Sequence, residues 1–135
     1  MSAMTEMSEL TTMVLVVDDE GMVRRLAARM LVHQGHRVLE AGSGEEALRV
    51  LQRAAPRIRV VVTDLAMPGV NGRRLGETIA RCWPHVRVLY MSGYPAMRMV
   101  DEGALDPNQP FIQKPFTEEQ LGRKVRELLV EPAEQ

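Results

Sequence analysis

The sequence predicts one α/β domain built on a parallel sheet, and three observations carry that prediction. Short apolar runs, Val14-Leu15-Val16-Val17 and Val60-Val61-Val62 among them, are bounded by turn residues, as strands buried on both faces are. The runs alternate with segments whose apolar residues recur at helical spacing. The alternation repeats five times, which favours a parallel sheet with right-handed crossovers.

Taken in order, residues 1–12 are small, polar and aperiodic and read as a disordered tail. Val14 to Val17 form the first strand, ending in Asp18-Asp19-Glu20. Val23, Leu26, Ala27, Met30 and Leu31 then mark a helix face, with Arg24, Arg25 and Arg29 opposite and Gly35 as C-cap. Arg37 to Ala41 is a second strand, and Ser43 with Glu46 makes a capping box for a helix burying Ala47, Leu48, Leu51 and Ala55. Pro56 ends it. The third strand, Val60 to Thr63, delivers Asp64 to a Pro-Gly turn. After Asn71-Gly72 comes a third helix with Leu75, Ile79 and Cys82 on one face, stopped by Pro84. Val86 to Met91 is the fourth strand, ending in Ser92-Gly93. Pro95 to Glu102 is a short helix anchored by Met97, Val100 and Met99, which Gly103 closes. Phe111-Ile112-Gln113 is the fifth strand, running into Lys114-Pro115. Thr117 and Gln120 cap a last helix burying Leu121, Val125, Leu128 and Leu129, and residues 132–135 are a polar tail.

Composition excludes several classes of function. A chain of 135 residues favours one domain with a single core, and 45% hydrophobic with 26% charged residues is ordinary for a globular protein. A net charge of −1 offers no basic field for direct nucleic-acid binding. No apolar run approaches the roughly 20 residues a membrane span needs, and no basic-then-apolar signal pattern opens the chain. The lone Cys82 suits a reducing compartment, so the expected location is the cytoplasm, away from membranes. The ten Met residues read as gap-filling.

The strand ends carry the chemistry. In open α/β sheets ligands sit outside the carboxyl ends of the strands. There this chain places Asp18 and Asp19, then Asp64, then Ser92, then Lys114. Each has a bland explanation alone: a helix cap, a turn-initiating Asp before Pro-Gly, a turn serine, a solvated lysine. Together, three carboxylates crowd one edge and repel unless a cation joins them. Mg²⁺ suits such oxygen ligands, and a carboxylate beside it is a competent nucleophile towards a phosphoryl group. A lysine and a hydroxyl complete the neutralisation that phosphoryl transfer needs.

These residues resemble the receiver domain of two-component response regulators. The resemblance rests on Val16-Val17-Asp18-Asp19-Glu20, Thr63-Asp64-Leu65-Ala66-Met67-Pro68-Gly69-Val70-Asn71-Gly72, Met91-Ser92-Gly93-Tyr94 and Lys114-Pro115-Phe116; it covers essentially all of residues 13–130, within a domain expected over 13–131. It implies a flavodoxin-like (βα)5 fold with doubly wound strand order 2-1-3-4-5. It implies that Asp64 accepts a phosphoryl group from a sensor histidine kinase or a histidine phosphotransfer protein. Asp19 and Asp64 would bind Mg²⁺ directly, Asp18 would help through water, and the Ala66 backbone carbonyl would complete the ligands. Ser92 and Lys114 would take phosphoryl oxygens, the Lys114-Pro115 peptide would be cis, and Phe111 would be the aromatic switch. The output would be the face of the fourth helix, fifth strand and fifth helix, binding a partner or a second copy. The protein would be a signalling module rather than an enzyme. Within the family, Val88 to Tyr94, Phe111 to Thr117 and Lys124 to Leu129 look most like receivers of hybrid histidine kinases, and a free-standing regulator is the alternative.

This sequence departs from the family in Ser92 for the commoner Thr, Phe111 for Tyr, and a small Ala66 two residues past the acceptor. Two other functions compete: an interaction-only receiver, disfavoured because every site group is present, and a Mg²⁺-dependent phosphatase, disfavoured by the short chain and by Asp64-Leu65-Ala66 lacking a second Asp. His33 and His36 lie at a helix end, more simply solvated than metal-binding, and His85 reads as surface.

Overall fold

A computed structural model describes residues 13–130; the tails expected at 1–12 and 132–135 lie outside the described residues. The elements are β1 (Met13–Val17), α1 (Gly21–His33), β2 (Arg37–Ala41), α2 (Gly44–Ala54), a 3₁₀ turn (Ala55–Arg57), β3 (Ile58–Asp64), α3 (Gly72–Cys82), β4 (Arg87–Ser92), α4 (Ala96–Asp101), β5 (Phe111–Gln113) and α5 (Glu118–Val130). The five strands pair in parallel in the order β2-β1-β3-β4-β5. This is the doubly wound α/β arrangement that the sequence predicts.

The continuous apolar runs are explained by two cores, one on each side of the sheet. Val14, Val16, Val60, Val62, Leu89 and Met91 pack against Ala27 and Leu31 of α1 and Leu121, Val125 and Leu128 of α5. Their alternates Leu15, Val17 and Val61 pack against Ala47 and Leu51 of α2 and Leu75 and Ile79 of α3. Period-2 alternation sends successive side chains to opposite faces, so a strand with helices on both sides needs apolar residues at every position. A third, smaller cluster of Leu65, Tyr90, Met99 and Leu105 sits under α4, with Phe111 half-buried against it.

The local signals act as expected. Ser43 Oγ accepts the Glu46 amide at 3.0 Å, while the Glu46 carboxylate reaches back to the Gly42 amide. Thr117 and Gln120 close a reciprocal capping box, each backbone N–H donating to the other's side chain. Asn71 Oδ1 caps α3 by accepting from the Arg74 amide. Gly35 takes the left-handed conformation, φ 96°, after α1.

Three expectations about faces are corrected. Leu26 is 55% exposed and Ala28 is buried instead, because the sheet covers a narrower stripe of α1 than its apolar residues occupy. Cys82 is exposed, because it is the last residue of α3 and lies past the edge of the core. In α4, Met97 is 77% exposed while Met99 is buried, so Met99 is the anchor.

Candidate functional site

Strand register brings the chemical residues to one edge. Val17 is level with Thr63 on β3 and Ala41 on β2, so Asp18 emerges beside Asp64. Asp64 is level with Met91, and Ser92 with Gln113, which puts Ser92 and Lys114 one step beyond on the adjacent strands.

Asp64 is held by its backbone. The next amide, Leu65 N–H, donates to the Met91 carbonyl at 2.9 Å, and Gly72 N–H donates to the Leu65 carbonyl at 3.0 Å. The Gly72 Cα rests so close to the Asp64 carbonyl that any Cβ there would collide with backbone, which is why the chain has glycine at that position.

Asp18, Asp19 and Asp64 each present a carboxylate oxygen within 4.8 Å of the others. Asp18 is fully buried; its Oδ2 accepts from Lys114 Nζ at 2.9 Å and its Oδ1 from the Glu20 amide at 3.0 Å. Lys114 Nζ also lies 3.4 Å from Asp64 Oδ1. Asp19 is exposed. Burial, then the charges of Asp18 and Asp19, push the Asp64 carboxyl up to about 6, against the pull of Lys114. Burial opposes the charge on Lys114, but the hydrogen bond to Asp18 and the two carboxylate charges prevail and raise its pKa.

The donor set fits a divalent cation: three hard oxygen donors on one edge, two of them buried and one open to solvent. The strain that crowding places on Asp64 is what an ion would relieve. It also sets an expected result for the metal-free protein. Asp64 binds its proton more tightly folded, near pH 6, than at its ordinary 3.8, so its ionisation opposes folding. Stability from this group is present below about 4 and lost as pH rises through about 6. Asp64→Asn should therefore have a higher Tm than wild type at pH 7 in chelator, with the difference shrinking as pH falls towards 4. Calorimetry across that range checks it; a constant difference would show that Asp64 ionisation is not responsible.

The other candidate residues are placed around this cluster, and the Lys114-Pro115 bond has the expected geometry. Ser92 does not meet the carboxylates: its Oγ donates to Met99 Sδ at 3.5 Å and accepts the Tyr94 amide at 3.0 Å. The Lys114-Pro115 peptide is cis. Ala66 is exposed on the loop after Asp64, and Phe111 is half-buried. His33 bonds Glu118 and His85 donates to the Ala55 carbonyl. Sequence reading missed Arg24, assigned to the solvated face of α1. Its Nη1 donates to the Asp18 carbonyl and its Nε to Glu40 Oε1, both at 3.0 Å, tying the loop after β1 to β2. Its offset of one or two residues from the apolar stripe was the only signal.

The fold and the acidic pocket define a flavodoxin-like protein with a carboxylate cluster at the strand carboxyl ends. Residues 14–126 match the response regulator receiver domain family, and the chain belongs to it. It is 34% identical over 116 residues to the sensor kinase CckA of Brucella abortus (strain 2308), spanning 86% of this chain and 12% of that protein. It is 34% identical over 103 residues to the response regulator protein FleR of Pseudomonas aeruginosa, spanning 76% of this chain and 21% of that one. The chain thus covers a small part of either relative's length. Among solved structures it is similar to the receiver domain of the hybrid histidine kinase CckA, with 33% identity and TM-score 0.72 over 86% of this chain and 97% of that one. The receiver domain of NtrX from Brucella abortus gives 30% identity and TM-score 0.76, covering 86% and 97%. This is a receiver domain of two-component systems, a signalling module of a family that uses Mg²⁺ at an acidic pocket and interacts with histidine kinases or phosphotransfer proteins. Among the described residues no helix is long and apolar enough to cross a membrane.

Proposed function

We infer that Asp64 is the phosphoacceptor of this receiver, taking a phosphoryl group from a histidine of a sensor histidine kinase or a phosphotransfer protein. An Asp64 carboxylate oxygen forms the new O–P bond as the N–P bond of the donor imidazole breaks. The observation that carries the reading is the lysine-bridged cluster, Lys114 between Asp18 and Asp64 with Asp19 alongside. Asp19 and Asp64 would hold Mg²⁺ directly, with the Ala66 carbonyl, and Asp18 through water, since its oxygens already serve Lys114 and the Glu20 amide. The ion would neutralise oxygen charge on the entering phosphoryl group. Lys114 pairs with one phosphoryl oxygen and Ser92 with another. Their engagement shifts α4, turns Phe111 inward and remodels the α4-β5-α5 face, where a partner or a second copy of the chain binds. The likeness to CckA favours a receiver serving a hybrid kinase in the cytoplasm.

Two measurements test this. In Mg²⁺ titrations Asp19→Ala should weaken binding more than Asp18→Ala; an affinity unchanged in Asp19→Ala removes it as the direct ligand. With Mg²⁺ and beryllofluoride, amide exchange should change at residues 97–102 and at Phe111. Changes confined to the loop after Asp64 would remove α4 as the output.

A further inference from the structure

We propose that Met99 is the resting partner of the Ser92 hydroxyl, and that its thioether sets how readily the domain switches. The proposal rests on the phosphoacceptor reading above. Ser92 is buried, and its Oγ–H points to Met99 Sδ at 3.5 Å while its oxygen accepts the Tyr94 amide at 3.0 Å. A serine hydroxyl has one proton. Ser92 therefore cannot donate to a phosphoryl oxygen without leaving Met99.

Met99 is placed to report that departure. It belongs to the third core cluster with Leu65, which follows Asp64, and with Tyr90 and Leu105, against which Phe111 packs. Its backbone carbonyl accepts from both the Ala104 and Leu105 amides, at 2.9 and 3.2 Å, closing the turn that ends α4. One residue thus joins the hydroxyl at the site, the apolar floor beneath α4 and the end of the helix. A thioether is a weak acceptor, so the bond biases the resting state without locking it. Met97 cannot substitute, because it is exposed. Ser92 and Met99 are seven residues apart on different elements, and α4, which carries Met99, is only six residues long, so little else opposes the movement.

The test is a double-mutant cycle read by beryllofluoride affinity in Mg²⁺. Met99→Leu keeps the volume and removes the acceptor. It should tighten binding on the order of threefold, the scale of one weak hydrogen bond, and speed α4 amide exchange before any addition. In a Ser92→Ala background the same substitution should change nothing, because no hydroxyl remains to be released. Equal affinity of wild type and Met99→Leu overturns the proposal, and so does an undiminished gain in the Ser92→Ala background, which would assign the effect to packing. A wild type that binds no beryllofluoride removes the phosphoacceptor reading itself, whereas wild-type binding that Met99→Leu leaves unaltered removes only the role of Met99.

Discussion

Asp64→Ala should abolish the gain of one phosphoryl group that intact mass records when the wild-type protein is treated with acetyl phosphate and Mg²⁺. Labelling should fall by at least about two orders of magnitude, because a positioned nucleophile is replaced by none. The alternatives in the pocket are poor. Asp18 is fully buried and its two oxygens are committed to Lys114 and the Glu20 amide. Asp19 is exposed, whereas the Asp64 segment is buried and held in place by the Met91 carbonyl and Gly72. The variant carries its own control. Removing a carboxylate that burial and its neighbours push up to about 6 relieves repulsion at neutral pH, so the variant should melt no lower than wild type. Labelling at the normal rate in a folded Asp64→Ala protein would disprove the assignment of the acceptor.

The strands, the long helices and the pocket carboxylates were legible because each rests on a strong local rule. A strand covered on both faces must be apolar throughout, and a parallel sheet gathers whatever follows each strand onto one edge. What was illegible depends on short elements and on rotamers. Periodicity identifies a face when a helix runs three turns, as α5 does, but α4 is six residues long and its Met97, Met99 and Val100 fit more than one face. Leu26 and Cys82 obey the helical period and are exposed all the same, since the period says nothing of how much helix the sheet covers. The bonds Ser92–Met99 and Arg24–Asp18 are choices of side-chain direction, which spacing does not encode.

Lys114→Met should produce the second large effect, and its sign with pH distinguishes charge from packing. Met retains much of the apolar stem, so the change is mainly the loss of the ammonium. In wild type that ammonium sits 2.9 Å from Asp18 and 3.4 Å from Asp64. Removing one partner of a buried pair costs about 3–5 kcal/mol where burial is complete; Lys114 retains 18% side-chain exposure, so the lower end applies. Without Lys114 the Asp64 carboxyl, already at about 6, should take up its proton at still higher pH. The part of the stability deficit that Asp64 carries is therefore expected above its raised pKa and should narrow as pH falls towards 6, where Asp64 takes up its proton in both proteins. Added Mg²⁺ should close it at neutral pH as well, since a divalent cation neutralises the same carboxylates. Signalling should fare differently. Beryllofluoride can still meet Asp64, but no ammonium draws β5 and the α4 face towards it, so amide exchange at residues 97–102 should stay at its resting level. Denaturant melts across pH with and without Mg²⁺, set beside exchange with beryllofluoride, read both effects in one variant. A deficit independent of pH together with a normal exchange response would reduce Lys114 to a packing residue.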